Sequence, residues 1–271
     1  MSRLRVVRRA IVTAACVAWL VPGAAPALAT APTVVPCPGC WHPGPGTTWQ
    51  YQLSGIIDTS IGADAFSIDL VEVPRAVIRD LHDQGKVAVC YISAGSWEEW
   101  RPDADAYPEA VLGDPLDGWP GERWLDIRAL SALRPILRAR LDRCADKGFD
   151  GVDFDNVDGY ANRTGFPVTP ADQLRFNRWL TRAAHLRGLS AGLKNDLAQA
   201  AGLEPDFEFA INEQCFSYHE CFLLRPFIDA GKSVMVVEYD VSRAVFCDRA
   251  ADLGAFAMRK RLPLGAWRRT C

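Results

Sequence analysis

Residues 130–160 read LSALRPILRARLDRCADKGFDGVDFDNVDGY, and our fold prediction starts from this stretch. Its first part, Leu130–Asp146, carries apolar residues at helical spacing, and it is followed by Gly148, a residue that commonly ends a helix. An apolar run, Phe149–Asn156, comes next and is typical of a buried strand. A helix that leads directly into a buried strand predicts one unit of an α/β fold with a parallel sheet.

The same alternation continues in both directions along the chain. Three further helical stretches, at 74–84, 170–187 and 221–230, each end beside a glycine. Eight apolar, β-rich runs are predicted as strands: Trp49–Leu53, Phe66–Leu70, Lys86–Ser93, Phe149–Asn156, Leu189–Asn195, Phe207–Glu213, Ser233–Tyr239 and Phe256–Lys260. Eight strands alternating with helices favour a single (β/α)8 barrel of the TIM type, for which 271 residues suffice. An open doubly wound sheet is the alternative.

The first 29 residues have the three zones of a secretory signal peptide. Four arginines precede an apolar run from Ala10 to Val21, and Ala27-Leu28-Ala29 supplies the small residues of a cleavage site. The run is too short to cross a bilayer. We therefore assign 1–29 to a signal peptide, 30–48 to an N-terminal extension and 49–271 to the barrel domain. We expect a secreted, extracellular protein without a stable membrane anchor after the signal is removed.

Removal of the signal peptide makes the net charge more negative. The whole chain has 30 basic and 33 acidic residues, and without the four arginines the balance is 26 to 33, a charge of −7. Such a surface does not suit nucleic acid and favours a cationic partner. With 49% apolar and 23% charged residues, the composition is that of a folded protein and excludes a disordered chain.

Secretion also changes the interpretation of the cysteines. Nine are present, and loss of Cys16 leaves an even number: Cys37, Cys40, Cys90, Cys144, Cys215, Cys221, Cys247 and Cys271. In an oxidising compartment an even number predicts disulfides. Cys215 and Cys221 lie close together in a polar loop and form the best local pair.

Two other cysteine pairs are weighed against alternatives. If Tyr91 faces the barrel interior, Cys90 faces the helices, where Cys144 lies on the core stripe of the next helix. These two form a disulfide or remain unlinked core cysteines. Cys37 and Cys40 resemble half of a zinc ribbon, but no second CxxC completes it, so we interpret them as a terminal staple.

Polar residues collect at the predicted carboxyl ends of the strands, where barrel enzymes have their active sites. The densest group is Phe149–Tyr160, with four aspartates. Asp153 and Asp155 lie on one face of the strand, roughly 7 Å apart. Like charges this close raise a pKa unless something compensates them, which favours a functional carboxylate at Asp155. A calcium site or a satisfied polar loop is the alternative.

Other strand ends add carboxylates and amides, at Ser93–Arg101, Lys194–Asp196, Asn212–Gln214 and Glu238–Asp240. Two carboxylates facing each other across the barrel mouth are what cleavage of a glycosidic bond requires. Four tryptophans, Trp97, Trp100, Trp119 and Trp124, follow the third strand. Each either stacks on a sugar ring or packs a long loop.

Other chemistries fit poorly. The four histidines are His42, His82, His185 and His219, and none lies at a predicted strand end. The sequence therefore predicts no histidine-based metal site, no serine triad and no cofactor. Nucleotide-binding glycine motifs and HExxH are absent from it. Lys194 has the chemistry to form a Schiff base, but its neighbours favour a hydrogen-bonding role.

At these residues the sequence resembles glycoside hydrolase family 114, the endo-α-1,4-polygalactosaminidases. The resemblance is carried by Trp49–Leu53, Cys90–Gly95, Gly118–Glu122, Trp124–Arg128, Gly148–Tyr160, Gly192–Asp196, Asn212–Cys215 and Val237–Tyr239. Each motif is weak by itself, whereas their order and spacing are specific. The segment with Cys37 and Cys40 lies outside the resemblance.

The resemblance implies a barrel that cleaves α-1,4-linked galactosamine polymers internally. By motif, its catalytic carboxylates are Asp155 and Glu213, which we assign as nucleophile and general acid/base of a retaining mechanism. Since galactosamine is cationic, acids such as Glu98, Asp126 and Asp158 are expected to select it. The predicted substrate-binding residues are Asp58, Tyr91, Ser93, Glu98, Asp126, Asp153, Asn156, Asp158, Tyr160, Lys194, Asn195, Asp196, Gln214, Glu238 and Tyr239.

Three alternatives stay open at this stage. The first is a glycosidase for another α-galactoside. The second is a secreted carbohydrate-binding barrel without turnover, since a fold does not guarantee a function. The third is a calcium-stabilised interaction domain that uses the aspartate cluster.

Overall fold

A computed structural model of the chain describes residues 37–271. The predicted signal peptide and residues 30–36 lie outside the described residues. The main sheet contains eight parallel strands: β1 (Trp49–Gln52), β2 (Ala65–Asp69), β3 (Val87–Ser93), β4 (Gly151–Asp155), β5 (Ser190–Lys194), β6 (Phe209–Glu213), β7 (Ser233–Glu238) and β8 (Phe256–Arg259). All eight predicted strands are confirmed, and their bounds differ from the prediction by at most two residues.

The strands pair in chain order, each parallel to the next. After β8 the chain returns along the sheet, and Arg269–Thr270 pairs antiparallel with β8. The preceding residues reach β1. The Leu53 amide donates to the Leu264 carbonyl at 2.9 Å, and Gln50 Nε2 donates to the Ala266 carbonyl at 2.9 Å. This segment joins the first strand to the last, so the curled sheet forms a barrel and the open-sheet alternative is wrong.

Apolar side chains fill two layers, because each barrel strand is buried on both faces. The inner cluster includes Trp49 from β1, Val89 from β3 and Met258 from β8. Side chains from opposite sides of the sheet therefore meet in the interior. The outer cluster packs the other face of the strands, including Cys90 and Phe154, against the helices.

Six α-helices surround the sheet: α1 (Arg75–Asp83), α2 (Leu130–Lys147), α3 (Pro170–His185), α4 (Ala200–Leu203), α5 (Arg225–Asp229) and α6 (Arg243–Leu253). Helix α3 begins with a capping box, in which Thr169 and Asp172 satisfy each other's backbone amides. Helix α2 ends at Gly148, whose φ of 94° suits glycine. The helix predicted at 221–230 is instead a 3-10 turn, Cys221–Leu224, followed by α5.

The connection from β3 to α2 contains a small antiparallel sheet that the sequence analysis did not predict. Its strands are Ser96–Glu98, Leu112–Pro115 and Glu122–Leu125, with the last in the centre. These strands are too short and irregular to show a clear alternation. The sheet lies beside the carboxyl end of β3 and raises a wall at the barrel mouth.

Four disulfides link the eight described cysteines. They join Cys37 to Cys40, Cys90 to Cys144, Cys215 to Cys221, and Cys247 to Cys271. The three pairings weighed from sequence are therefore confirmed. The bond from Cys90 to Cys144 ties β3 to α2, as the outward direction of Cys90 predicts.

Residues 37–48 pack at the amino-terminal end of the barrel, away from the mouth. Trp41 contacts Trp49 and Phe209, with ring centroids 5.4 and 5.7 Å apart. The Ser233 amide donates to the Pro43 carbonyl at 2.9 Å. Within 37–271, no helix is both long and apolar enough to cross a membrane.

Candidate active site

Three charged side chains meet at the mouth, one from the last residue of each of three neighbouring strands. Asp155 closes β4, Lys194 closes β5 and Glu213 closes β6. Lys194 Nζ lies 2.9 Å from Asp155 Oδ1 and 2.8 Å from Glu213 Oε2. The two carboxylate oxygens are therefore separated by no more than the sum of these distances, 5.7 Å.

Asp155 is held as a carboxylate by three donors. Besides Lys194, the Tyr91 hydroxyl donates to Oδ2 at 2.8 Å and the Asn156 amide donates to Oδ1 at 2.9 Å. Burial raises the pKa of Asp155, but the charge and hydrogen bond of Lys194, aided by Tyr91 and Asn156, outweigh it and lower the pKa below its ordinary value. The group is therefore ionised at neutral pH.

Glu213 has a different set of neighbours. The Tyr239 hydroxyl donates to Oε1, and the Glu213 amide donates to Asn195 Oδ1 at 2.9 Å. Burial and then the Glu213 charge raise the pKa of Tyr239, so this phenol stays protonated and remains a donor. Sequence reasoning placed Tyr239 among the substrate-binding residues, and the structure places it against the second carboxylate.

Lys194 is almost fully buried and is also 3.3 Å from the Tyr51 hydroxyl. Burial lowers the pKa of Lys194, but the charges of Asp155, Glu213 and Asp153 raise it well above its ordinary value. A protonated amine is no nucleophile, which disfavours a Schiff base and favours the predicted hydrogen-bonding role. Tyr51 was missed from sequence because it lies within an ordinary strand, β1, whose four residues are all buried.

The backbone turns sharply directly after these strand ends. Asn156, Asn195 and Gln214 have φ values of 59°, 52° and 68°, and Asp196 has 45°. Such left-handed residues are uncommon outside glycine and often occur at functional sites. The turns aim the strand-end side chains into the mouth while the chain leaves toward the helices.

A cavity of about 450 Å³ opens above the carboxylates. It is lined by Asp155 and Glu213 and by four predicted substrate-binding residues: Tyr91, Glu98, Asn156 and Asn195. Trp100 and Trp119 also line it, with 51% and 48% of their surface exposed, so they present indole faces to a ligand. Trp124 is buried, and Trp97 donates to the Ala104 carbonyl at 3.1 Å, so both pack the loop.

The acids on the cavity wall are of two kinds. Asp69 and Glu98 share Arg101, which lies 2.7 and 2.6 Å from them, and Glu98 also lies 3.9 Å from Arg140. Glu122 instead accepts a hydrogen bond from Ser96 Oγ at 2.7 Å. Burial raises the pKa of Glu122 to about 7. Sequence reasoning missed Glu122, which lies in the unpredicted antiparallel sheet.

Asp153 lies one layer deeper, inside the barrel. Its Oδ2 accepts from Ser67 Oγ at 2.9 Å, while Oδ1 is buried without a partner. Burial raises the pKa of Asp153 to about 7, although the charge of Lys194 opposes this. Ser93 is also interior, and its hydroxyl accepts from Asn156 Nδ2 at 2.9 Å.

A second set of acidic residues, Asp158 and Asp196, lies beside the mouth, after β4 and β5. Asp196 Oδ2 accepts from Asn177 Nδ2 at 2.9 Å, while its Oδ1 is buried without a hydrogen-bond partner. Burial, followed by the charge of Asp158, raises the pKa of Asp196 to about 8. Burial, followed by the charge of Asp155, raises the pKa of Asp158 to about 6.

Four other predicted substrate-binding residues form hydrogen bonds or ion pairs with neighbouring groups of the protein. Their role in substrate binding remains a prediction. Asp58 accepts from the Ser60 amide at 3.1 Å, and Asp126 pairs with Arg128 at 2.7 Å. The Gln214 amide donates to the Val237 carbonyl. Glu238 is buried and accepts from the Phe216 amide at 2.8 Å.

Among residues 37–271, no three His, Cys, Asp or Glu side chains are arranged to hold a metal ion. A parallel barrel with two carboxylates at its mouth is an arrangement typical of glycosidases. The model of glycoside-hydrolase family GH114 matches residues 30–271, so the chain belongs to this family and is a glycoside hydrolase. The match includes the segment with Cys37 and Cys40, which the sequence motifs did not cover.

Solved structures of related proteins agree with this fold. Ega3 of Aspergillus fumigatus, crystallised in complex with galactosamine, is 39% identical with a TM-score of 0.82, over 85% of this chain and 97% of that one. The glycoside hydrolase domain of PelA from Pseudomonas aeruginosa has the same fold, with 15% identity and a TM-score of 0.65, over 84% and 99% of the two chains. An uncharacterized protein of Deinococcus radiodurans is 29% identical over 80% of this chain and 81% of its own.

Proposed function

We propose that the protein is a secreted, retaining endo-glycosidase that cleaves internal α-1,4 linkages of galactosamine-containing polysaccharide. Asp155 is its nucleophile and Glu213 its general acid/base. The observation that carries this proposal is the bridging position of Lys194 between the two carboxylates, at 2.9 and 2.8 Å. Membership of family GH114 and the likeness to Ega3, which binds galactosamine in its crystal structure, support the substrate class.

The spacing of the carboxylates supports retention. Carboxyl groups of retaining glycosidases lie about 5–5.5 Å apart, whereas inverting enzymes need about 6.5–9.5 Å to admit a water molecule. Lys194 keeps the nearest oxygens of Asp155 and Glu213 within 5.7 Å, the sum of its two contacts. This short separation of the two carboxylates permits direct attack by one of them on the sugar, which favours a covalent intermediate.

In the first step Asp155 attacks the anomeric carbon, and the C–O bond to the departing sugar breaks. Glu213 gives its proton to the departing oxygen. In the second step Glu213 takes a proton from water, whose oxygen displaces Asp155 and restores the carboxylate. The lowered pKa of Asp155 suits the nucleophile, which must be ionised before each turnover.

The charge of the cavity supports a cationic sugar. Asp69 and Glu98 are paired with Arg101. Glu72 and Glu122 also line the wall, and neither takes part in the described ion pairs. A protonated amine gains from these carboxylates, while a neutral sugar does not. Glu98 is thus a weaker candidate for amine recognition than the sequence suggested, and Glu122 is a stronger one.

Secretion is supported by two features. The predicted signal peptide has the composition of an export signal, and four disulfides link the described cysteines. Disulfides persist in oxidising compartments outside the cytoplasm.

The test is a digestion of deacetylated and fully N-acetylated α-1,4-galactosamine polymer, with an α-galactoside panel, by the native protein and by Asp155→Asn and Glu213→Gln. We expect internal cleavage of the deacetylated polymer and initial products in the α configuration by NMR. Each substitution should lower kcat by about 10³-fold or more, because it removes a group that reacts.

Asp142→Asn, on the outer face of α2, is the matched control and should retain full activity. Equal rates on the acetylated and deacetylated polymers would remove the charge argument. Cleavage confined to another α-galactoside would favour the alternative glycosidase, and binding without turnover would favour a carbohydrate-binding barrel. Initial products in the β configuration would refute retention.

A further inference from the structure

Three cavities cross the barrel mouth and are joined by shared residues. The catalytic cavity shares Leu116 with a cavity of about 490 Å³ and Leu262 with one of about 410 Å³. The first of these lies between the connections that follow β3 and β4, and the second lies among residues that follow β7 and β8. Because these strand pairs stand on opposite sides of an eight-stranded barrel, the two outer cavities flank the catalytic cavity, and we call this row of three cavities, with the carboxylates in the middle, the groove.

The middle of the groove is strongly acidic. Six acids line the catalytic cavity, namely Asp69, Glu72, Glu98, Glu122, Asp155 and Glu213, and the cations that face them are Arg101 on the wall and Lys194 beneath Asp155 and Glu213. The cavity at the β3 and β4 side adds Asp114, Asp117 and Arg163. A cationic sugar is therefore favoured over this part of the groove.

The cavity beyond Leu262, which we call the basic cavity, has the opposite charge. It is lined by Arg259, Lys260, Arg261 and Arg269, with Asp240 as its one acid. Among the ion pairs of residues 37–271, none involves these four cations. These four side chains therefore have no acidic partner among the described ion pairs, although the overall charge of the protein is negative.

The cations of the basic cavity are held by groups that leave the charge in place. Arg259 Nε donates to the Tyr239 carbonyl at 3.0 Å, and Lys260 Nζ donates to the Gly265 carbonyl at 2.6 Å. Arg261 and Arg269 lie against the ring of Trp267, 4.7 and 5.9 Å from its centroid. Burial, and then the charge of Arg268, lower the pKa of Lys260 to about 7, so the three arginines supply most of the positive charge of the cavity.

We propose that the basic cavity is a subsite for an uncharged, N-acetylated sugar and excludes a protonated galactosamine from that position. Guanidinium N–H groups donate to hydroxyl and acetyl oxygens, while an ammonium group meets four basic side chains and one acid, Asp240. The proposal rests on the proposed function and makes cleavage depend on the acetylation of one sugar at a fixed distance from the cut.

The test is to digest a partially N-acetylated α-1,4-oligogalactosamine mixture in ¹⁸O-water and to sequence the products by tandem mass spectrometry. The label marks the new reducing end, so the sugars on both sides of each cut are assigned. One position on one side of the cut should be enriched in N-acetylated sugar about fivefold, the ratio that corresponds to roughly 1 kcal/mol of discrimination.

Arg261→Glu with Arg269→Glu should abolish or invert this enrichment, because both side chains are exposed and the changes reverse the local charge. Arg261→Gln with Arg269→Gln should reduce it and guards against a folding defect in the first variant. The control, Arg79→Glu with Arg243→Glu, makes the same net charge change on exposed residues of α1 and α6 and should keep the native pattern.

A native product pattern without positional enrichment would overturn the proposal, as would an enrichment that both variants retain. Either result leaves the proposed function intact, because the polymer is still cleaved. A native protein that leaves every galactosamine polymer uncut would overturn the proposed function, and the subsite with it.

Discussion

Lys194 is the residue through which the two carboxylates that we propose as catalytic act on each other. It touches both, at 2.9 and 2.8 Å, and it is almost fully buried, so its charge is poorly screened. One side chain therefore sets the spacing of the pair and keeps Asp155 ionised. The lysine is thus as much a part of the site as the acids it joins.

Replacing Lys194 by Gln should lower kcat/KM by about a hundredfold, the usual cost of a lost electrostatic contact at a reacting centre. Since the Lys194 charge lowers the pKa of Asp155, its removal should raise that pKa. The acidic limb of the pH–rate profile should then move to higher pH by about one unit or more. The measurement is kcat/KM between pH 3 and 8.

Lys147→Gln serves as the control, because Lys147 Nζ donates only to the carbonyls of Leu70 and Val73 in the described contacts. Its acidic limb should coincide with that of the native protein. An acidic limb that stays in place in Lys194→Gln would refute the role of Lys194.

Sequence reasoning placed the two proposed catalytic residues at the barrel mouth but did not predict their surroundings. Asp155 and Glu213 end predicted strands, so their place at the mouth follows from the alternation of strands and helices. The alternation of strands and helices does not predict which cation pairs with Glu98. That cation, Arg101, also pairs with Asp69, which lies 32 positions away. Which acids remain uncompensated depends on such contacts between distant residues.

Among the secondary-structure elements, the turn after β4 is fixed by the connection after β3. A Cβ atom on Gly95 would lie 1.7 Å from the Asn156 carbonyl oxygen, so only glycine fits there. The backbone amide of Asn156 in turn donates a hydrogen bond to Asp155 Oδ1. The close approach of two loops therefore holds Asp155, the proposed nucleophile, in position.

Gly95→Ala should force Asn156 away from β4. We expect a loss of stability on the order of 2 kcal/mol, typical of an overpacked site, and a fall in kcat of at least about tenfold. Urea denaturation and steady-state kinetics measure the two effects. Gly202→Ala in α4, where no atom outside its own helix and chain neighbours lies within 4 Å of the added Cβ, should keep the native kinetics and should not lower stability. Native kinetics in Gly95→Ala would contradict this role for the turn.

The eight barrel strands were predictable because each is buried on both faces, which gives a continuous apolar run. The antiparallel sheet between β3 and α2 was not, since its three strands have three or four residues each and show no clear alternation. Helix α6 was also not predicted, and only Phe246 and Ala250 of it are buried. Local pattern thus gave the scaffold and missed the wall of the active site.

For the whole molecule, the disulfides stabilise the fold to different degrees. The bond from Cys90 to Cys144 closes a loop with a sequence separation of 54, whereas that from Cys37 to Cys40 has a separation of 3. Longer loops lose more entropy when they are closed in the unfolded chain. The first bond is also buried between β3 and α2.

Cys90→Ala with Cys144→Ala should lower the free energy of unfolding by about 3–5 kcal/mol, and Cys37→Ala with Cys40→Ala by about 2 kcal/mol or less. The second pair serves as the matched control, because each variant loses one bond. Denaturation in urea without reductant compares them. Equal losses would show that loop length does not govern the stabilisation here.

The closure of the barrel by residues 264–268 has a consequence for how the chain folds. Gln50 of β1 bonds to Ala266, 216 positions further along the sequence. Until that late segment arrives, β1 presents an unpaired edge, which another chain can occupy. Contacts between such distant residues form slowly. Refolding should therefore slow at its final step, and misassembly through β1 should increase with protein concentration.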